Sequence, residues 1–199
     1  MKKLLAVVLA ATMLTVGCNW AAFDNYVMLG AQALVDILNI VAVAQHQSPN
    51  QSLIEKVNAD AALVKKLGDD FYNASAANKA DVEDQLNAAL STLAQDEQDV
   101  FAVAHVVNPQ SQAYISSLVS LATSFIMTAE AMLPPQQQAK MRVQFQKSSS
   151  PLSVSDFVSS WNKAVTVKSG DPAIDSVSRR FKLHNHGTFT KIVSFGLVR

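Results

Sequence analysis

The sequence predicts an all-α protein: an antiparallel helical bundle of about four main helices, short C-terminal helices, and a small β-hairpin as an option at the end. Three observations carry that expectation. Apolar residues step by three and four through most of the chain, the primary signal of amphipathic helices. A capping side chain followed by proline recurs at Asn108-Pro109 and Asp171-Pro172, a device that starts helices. The 199 residues are 49% apolar with six Gly and six Pro, too apolar for a disordered chain and too poor in glycine and proline for a fibrous one.

Met1-Lys2-Lys3 is a short positive start, and Leu4 to Leu14 is an apolar run interrupted by Thr12. Small or short residues follow, ahead of Cys18. This is the pattern of a secretory signal peptide over residues 1–17. The run is shorter than the ~20 residues a membrane-spanning helix needs.

Leu14-Thr15-Val16-Gly17-Cys18 resembles the lipobox of the bacterial lipoproteins in its Gly17-Cys18 pair, with Thr15 where that family usually carries leucine. The resemblance covers about the first twenty residues. It implies lipidation at Cys18, which would become the first mature residue with a diacylglyceryl thioether and an acylated (for example palmitoylated) amine. It also implies a membrane partner reached through the lipid anchor. Asn19 after the cysteine resembles the outer-membrane sorting pattern of Gram-negative lipoproteins, facing the periplasm. Two other readings stay open: ordinary cleavage after Gly17, leaving a free thiol, and an uncleaved membrane anchor.

Residues 18–199 read as a single helical domain. Trp20 to Ala44 has nineteen apolar residues of 25, yet Asp24 and Asp36 interrupt it, and a carboxylate near a bilayer centre costs about 2.5–3.5 kcal/mol. Asn25, Gln32, Asp36 and Asn39 fall in one narrow arc at 100° per residue. This reads as a buried central helix, with a membrane-inserted or partner-binding helix as the rival.

Ser48-Pro49-Asn50-Gln51 reads as a cap at Ser48 with proline at the first helical position. The stripe Leu53, Val57, Ala61, Val64, Leu67 and Phe71 follows, ending near Gly68. From about Ala76, Val82, Leu86, Ala89, Leu93, Val100, Val103 and Val107 continue it, with a polar gap at Asp96-Glu97. From Pro109, Tyr114, Leu118, Leu121, Phe125, Ala129 and Met132 run to Pro134-Pro135. Four such helices with short connections suggest an antiparallel bundle.

Gln136 to Gln146 reads as a short helix and Ser148 to Pro151 as a linker. Ser153-Val154-Ser155-Asp156 is a capping box. It opens a helix with Phe157, Trp161 and Val165 on one face, and Ile174, Val177 and Phe181 mark a shorter one. Phe181 to His184 and Phe189 to Val193 flank Asn185-His186-Gly187 and suit a hairpin, so residues 182–199 read as a mobile or hairpin tail.

Sixteen Lys+Arg balance sixteen Asp+Glu, which argues against a nucleic-acid binder. One Cys builds neither a disulfide framework nor a Cys-based zinc site. Ten acidic and four basic residues lie between Glu55 and Asp99, and ten basic and three acidic between Lys140 and Arg199. The two regions could attract one another or stay solvated, or the basic part could touch anionic lipid or another envelope partner.

Chemistry is sparse: no catalytic residue, cofactor or metal ligand set is predicted. His184 and His186 are two apart, but a catalytic zinc needs a third ligand. His46 and His105 sit near helix C-termini, where imidazole suits the dipole. The acid pairs Asp69-Asp70, Glu83-Asp84 and Asp96-Glu97 read as solvating charge. Trp20, Phe23 and Tyr26 suit either the headgroup level or the core. The leading expectation is a non-enzymatic, lipid-anchored envelope protein with a structural or interaction role. The alternative is a binding protein whose bundle holds an apolar or envelope ligand near Phe125, Met132 and Trp161. An enzyme using His184 and His186 comes third.

Overall fold

The computed structural model describes residues 2–103, 108–132 and 153–184, with residues 2–21, 97, 130 and 131 described by their backbone alone. The chain is all-α. Its described residues form α1 (Lys2–Ala44), α2 (Gln51–Asn73), α3 (Lys79–Val103), α4 (Pro109–Ala131), α5 (Val154–Ala164) and α6 (Pro172–Ser178), with no strand among them.

Helix α1 is the organiser, because it touches each of the other five. No residue from Ala22 to Ala44 is exposed. The polar arc on this helix is covered rather than solvated. Asp36 is 4% exposed and accepts from Gln32 Nε2 at 2.8 Å, while Asn39 donates to the Val35 carbonyl at 2.8 Å. Asp36 and Asn39 thus find partners within α1, which offsets part of the cost of burying them. This segment is the one described helix long and apolar enough to cross a membrane, and 72% of its most apolar window lies inside the fold.

Close approach fixes α1 against α4. A Cβ on Gly30 would stand 2.6 Å from Ile126 Cγ1, so glycine lets the two backbones approach. Nearby, Tyr26 packs on Phe125 with ring centroids 4.5 Å apart, and Phe125 stacks on Phe157 at 3.7 Å.

The stripes expected on α2, α3 and α4 form the core: Leu53, Val57, Val64, Leu86, Leu93, Leu118 and Phe125 are all buried. Three boundaries differ from expectation. Asn50, not Ser48, caps α2, its side chain accepting from Leu53 N at 3.1 Å. An Asx side chain directly before the helix competes better than a serine two residues earlier. Helix α2 also runs past Gly68 to Asn73, since burial of Phe71 draws another turn onto the core. Helix α3 begins at Lys79, after a turn over residues 76–78.

The other starts are as the residue types dictate. Asn108 Oδ1 accepts from Gln110 N at 2.9 Å. Asp171 caps α6, with Pro172 in its first turn. Ser153 caps α5, accepting from Asp156 N at 3.1 Å. Helix α1 ends with the Gln47 amide donating to the Ala42 carbonyl and the His46 amide to the Val43 carbonyl. This is the Schellman pattern, with His46 at φ 53° in the position glycine prefers.

Residues 181–184 take no regular secondary structure. Asn162 pairs with both backbone groups of Leu183, at 2.8 Å each, and Trp161 Nε1 donates to the Phe181 carbonyl at 2.8 Å. The proposed second strand of a hairpin, Phe189 to Val193, lies outside the described residues. So do the expected Gln136–Gln146 helix and the Ser148–Pro151 linker.

Candidate functional site

Cys18 lies within the helical backbone of α1, five residues before Phe23, the first fully buried side chain described. Five residues span about 7.5 Å as helix and at most about 18 Å fully extended. Any group attached to this sulfur is therefore close to the folded domain. Phe23 is core rather than surface, and Tyr26 is half-buried against Phe125.

The densest charged site was not foreseen. On the α2–α3 seam, Lys56 Nζ stands 2.6 Å from Asp96 Oδ1 and 2.9 Å from Asp99 Oδ2. Asp60, one turn further along α2, brings a second carboxyl to bear on Asp96. Asp96 had been read as solvating charge with Glu97, but its side chain is 0% exposed. Burial pushes the Asp96 carboxyl up to about 6, Asp60 adds to the rise, and Lys56 opposes it. The same lysine holds Asp99 below the usual carboxylate range, and both acids raise Lys56. Position 96 continues the α3 stripe between Leu93 and Val100, and that spacing is the one sequence signal that pointed inward.

A cleft of about 340 Å³ opens beside this seam, lined by Asn50, Ser52, Leu53, Lys56, Asp99, Ala102 and Val103. Asp96 is sealed beneath the lysine rather than facing the cleft. A general acid must reach the proton it transfers, so this carboxyl serves the joint between the helices.

A second seam joins α1 to α2. Lys65 Nζ lies 2.8 Å from Asp24 Oδ2 and 3.0 Å from Asp69 Oδ2. Burial raises the Asp24 carboxyl against the pull of Lys65. Lys66 and Asp70 pair at 2.9 Å on the exposed face, so the Asp69-Asp70 pair is surface charge as its sequence suggests. In the middle of α1, burial holds Asp36 well above the usual carboxylate range, with only the Gln32 amide opposing it.

His46 and His184 are exposed, and His105 and His186 lie outside the described residues. Among the described residues, no three His, Cys, Asp or Glu side chains gather in a metal-holding group. Phe125 and Trp161 are fully buried, and Phe157 sits between them, stacked on the first and 6.1 Å from the second. Of the basic C-terminal residues, Lys163, Lys168, Arg179, Arg180 and Lys182 are exposed and spread over the α5–α6 region.

Comparison with known protein families, curated proteins and solved structures finds no match.

Proposed function

We propose that this protein is a lipid-anchored component of a bacterial cell envelope, built as an antiparallel bundle around α1, with a structural or interaction role rather than a catalytic one. The observation that carries the reading is the order of the first 23 residues: a dibasic start, an apolar run, Gly17-Cys18, and then core by Phe23. The apolar stretch after Cys18 belongs to the domain, since its window is mostly buried. With that segment committed to the core, attachment falls to the cysteine. Two or more acyl chains hold a protein stably, at about 0.8 kcal/mol per buried CH₂.

The bundle topology is supported by the six residues between α1 and α2 and by α1 touching all five partners. The basic residues of the α5–α6 region are exposed and suit an anionic envelope partner.

Fractionation tests the anchor. The native chain is expected in the membrane fraction, and Cys18→Ser in the soluble fraction or retained as uncleaved precursor. Intact mass of the native N-terminus is expected to show a chain starting at Cys18 and carrying fatty acyl groups. A chain of the same start without acyl mass overturns the reading.

A further inference from the structure

If Cys18 carries the anchor, one end of the domain faces the bilayer, and the ion pair between α1 and α2 says which. Lys65 meets Asp24 at 2.8 Å, which sets the two helices at one height there. The six-residue connection makes α2 return along α1. From Asp24 back to Cys18 is six residues along α1, and from Lys65 on to Tyr72 is seven along α2. At 1.5 Å per residue these are about 9 and 10 Å in the same direction. The end of α2 therefore stands level with the acylated residue.

That end has the composition a headgroup surface favours. No carboxylate occurs between Asp70 and Asp81, inside a region otherwise dominated by acids. Residues 75–80 are all exposed, and Tyr72 is 47% exposed. Lys79 Nζ lies 4.7 Å from the centroid of the Phe71 ring, which presents a cation beside an aromatic pair. Tyrosine and lysine are the side chains that settle at the boundary between hydrocarbon and water, and a cation there gains from anionic lipid. The flanking acids are Asp81, in the first turn of α3, and Asp69 and Asp70, which sit higher on α2 and are paired with Lys65 and Lys66. The turn between α5 and α6, which carries Lys168, does not compete for this role. A Cβ on its Gly170 would collide with Gln110 at the start of α4, and Val103, at the end of α3, accepts from Gln45 at the far end of α1. That turn thus lies toward the opposite pole, about 39 Å from Cys18 along α1, while the start of α5 lies nearer Cys18, where Phe157 stacks on Phe125 beside Tyr26.

We propose that the tip of the α2–α3 hairpin, residues 71–80, rests on the phospholipid headgroup surface with Tyr72 and Lys79 as its contacts. The inference rests on the lipid-anchored reading of Cys18 and adds an orientation to it. It leaves the α1–α2 connection and the turn between α5 and α6 facing away from the bilayer.

The single native cysteine makes this testable by site-directed spin labelling of the full-length precursor, processed in a lipoprotein-sorting bacterium. The acylated protein is purified and placed in vesicles of phosphatidylethanolamine and phosphatidylglycerol. Labels go at Tyr72→Cys, at Asn78→Cys as a second exposed site on the same tip, and at Gln47→Cys at the opposite pole. The ratio of collisions with oxygen to collisions with a water-soluble nickel chelate is expected to be about threefold or more higher at 72 and 78 than at 47. Equal ratios at the three sites, with Cys18 acylated by intact mass, overturn the orientation and leave the anchor standing. An unmodified Cys18, seen by mass and by labelling of the native chain, overturns both.

Discussion

The middle of α1 and the α2–α3 seam each bury an aspartate, and they treat it differently. Asp36 is 4% exposed and meets a neutral amide on its own helix. Asp96 is 0% exposed and meets Lys56 and Asp60 from the neighbouring helix. Burial disfavours the ionised form at both. At Asp96 a cation offsets part of that cost, so its carboxyl rises only to about 6. At Asp36 nothing charged opposes the rise. Lys65 reaches Asp24 nearer the start of α1, but no lysine head reaches Asp36 in its enclosed middle. At the outer seam the stem of Lys56 lets its head reach both Asp96 and water.

The sharpest way to break this contrast is to pry α1 away from its neighbour. Gly30→Val would place branched carbon where Ile126 already leaves no room. It is expected to destabilise the fold by about 3 kcal/mol, at the upper end for overpacking, measured by urea unfolding. The loss should be nearly the same at pH 5 and pH 7.5, because no titrating group is touched.

Asp96→Asn tests the charged seam. The ordinary carboxylate value is 3.8 and the folded value about 6. Between them the folded chain keeps a proton that the unfolded chain has lost. Native stability therefore falls as pH rises through this window, by roughly 2–3 kcal/mol from this group. Asparagine has no such slope. The variant is expected to gain on the native chain between pH 4 and pH 7, read from unfolding midpoints across pH. A gain that does not vary with pH would mean Asp96 is ionised throughout.

Asp36→Asn should show the same sign without a lysine in play. Burial holds the Asp36 carboxyl well above its ordinary value, with only the Gln32 amide opposing it. The folded chain keeps this proton where the unfolded chain has lost it, so native stability falls as pH rises above the ordinary carboxylate value and the variant is expected to gain on the native chain. If both variants show the same pH window, Lys56 is not what separates the two sites.

The smallest effect concerns the end of α1. His46 holds a left-handed conformation at φ 53°, where a side chain is strained. His46→Gly is expected to raise stability by about 0.5–1 kcal/mol, seen as a modest rise in Tm. It should leave the pH profiles of Asp36 and Asp96 unchanged.

Much of the fold was legible because its signals are local. Asn108, Ser153 and Asp171 cap the helices their residue types announce, since a cap needs only a side chain and an amide two or three residues on. The stripes of α2 and α4 name their own core residues, because a helix turns its face inward wherever apolar side chains recur at its period. Ser48 reads as the cap from its residue type, and only the helix geometry gives that role to Asn50. The α2–α3 seam was not legible. An acid pair in a polar gap looks like solvated charge until a lysine forty residues earlier is brought over it.

The amino-acid order alone determined the dibasic start and apolar run, the lone cysteine ahead of the first buried residue, and the helical pattern, since each depends on neighbours within a few residues. The packing of the helices decided that the longest apolar segment is enclosed, that Asp36 and Asp96 are buried with different partners, and that Lys65 meets Asp24 across α1 and α2. Those outcomes depend on which helices meet, and contact between residues distant in sequence becomes defined only when the core forms.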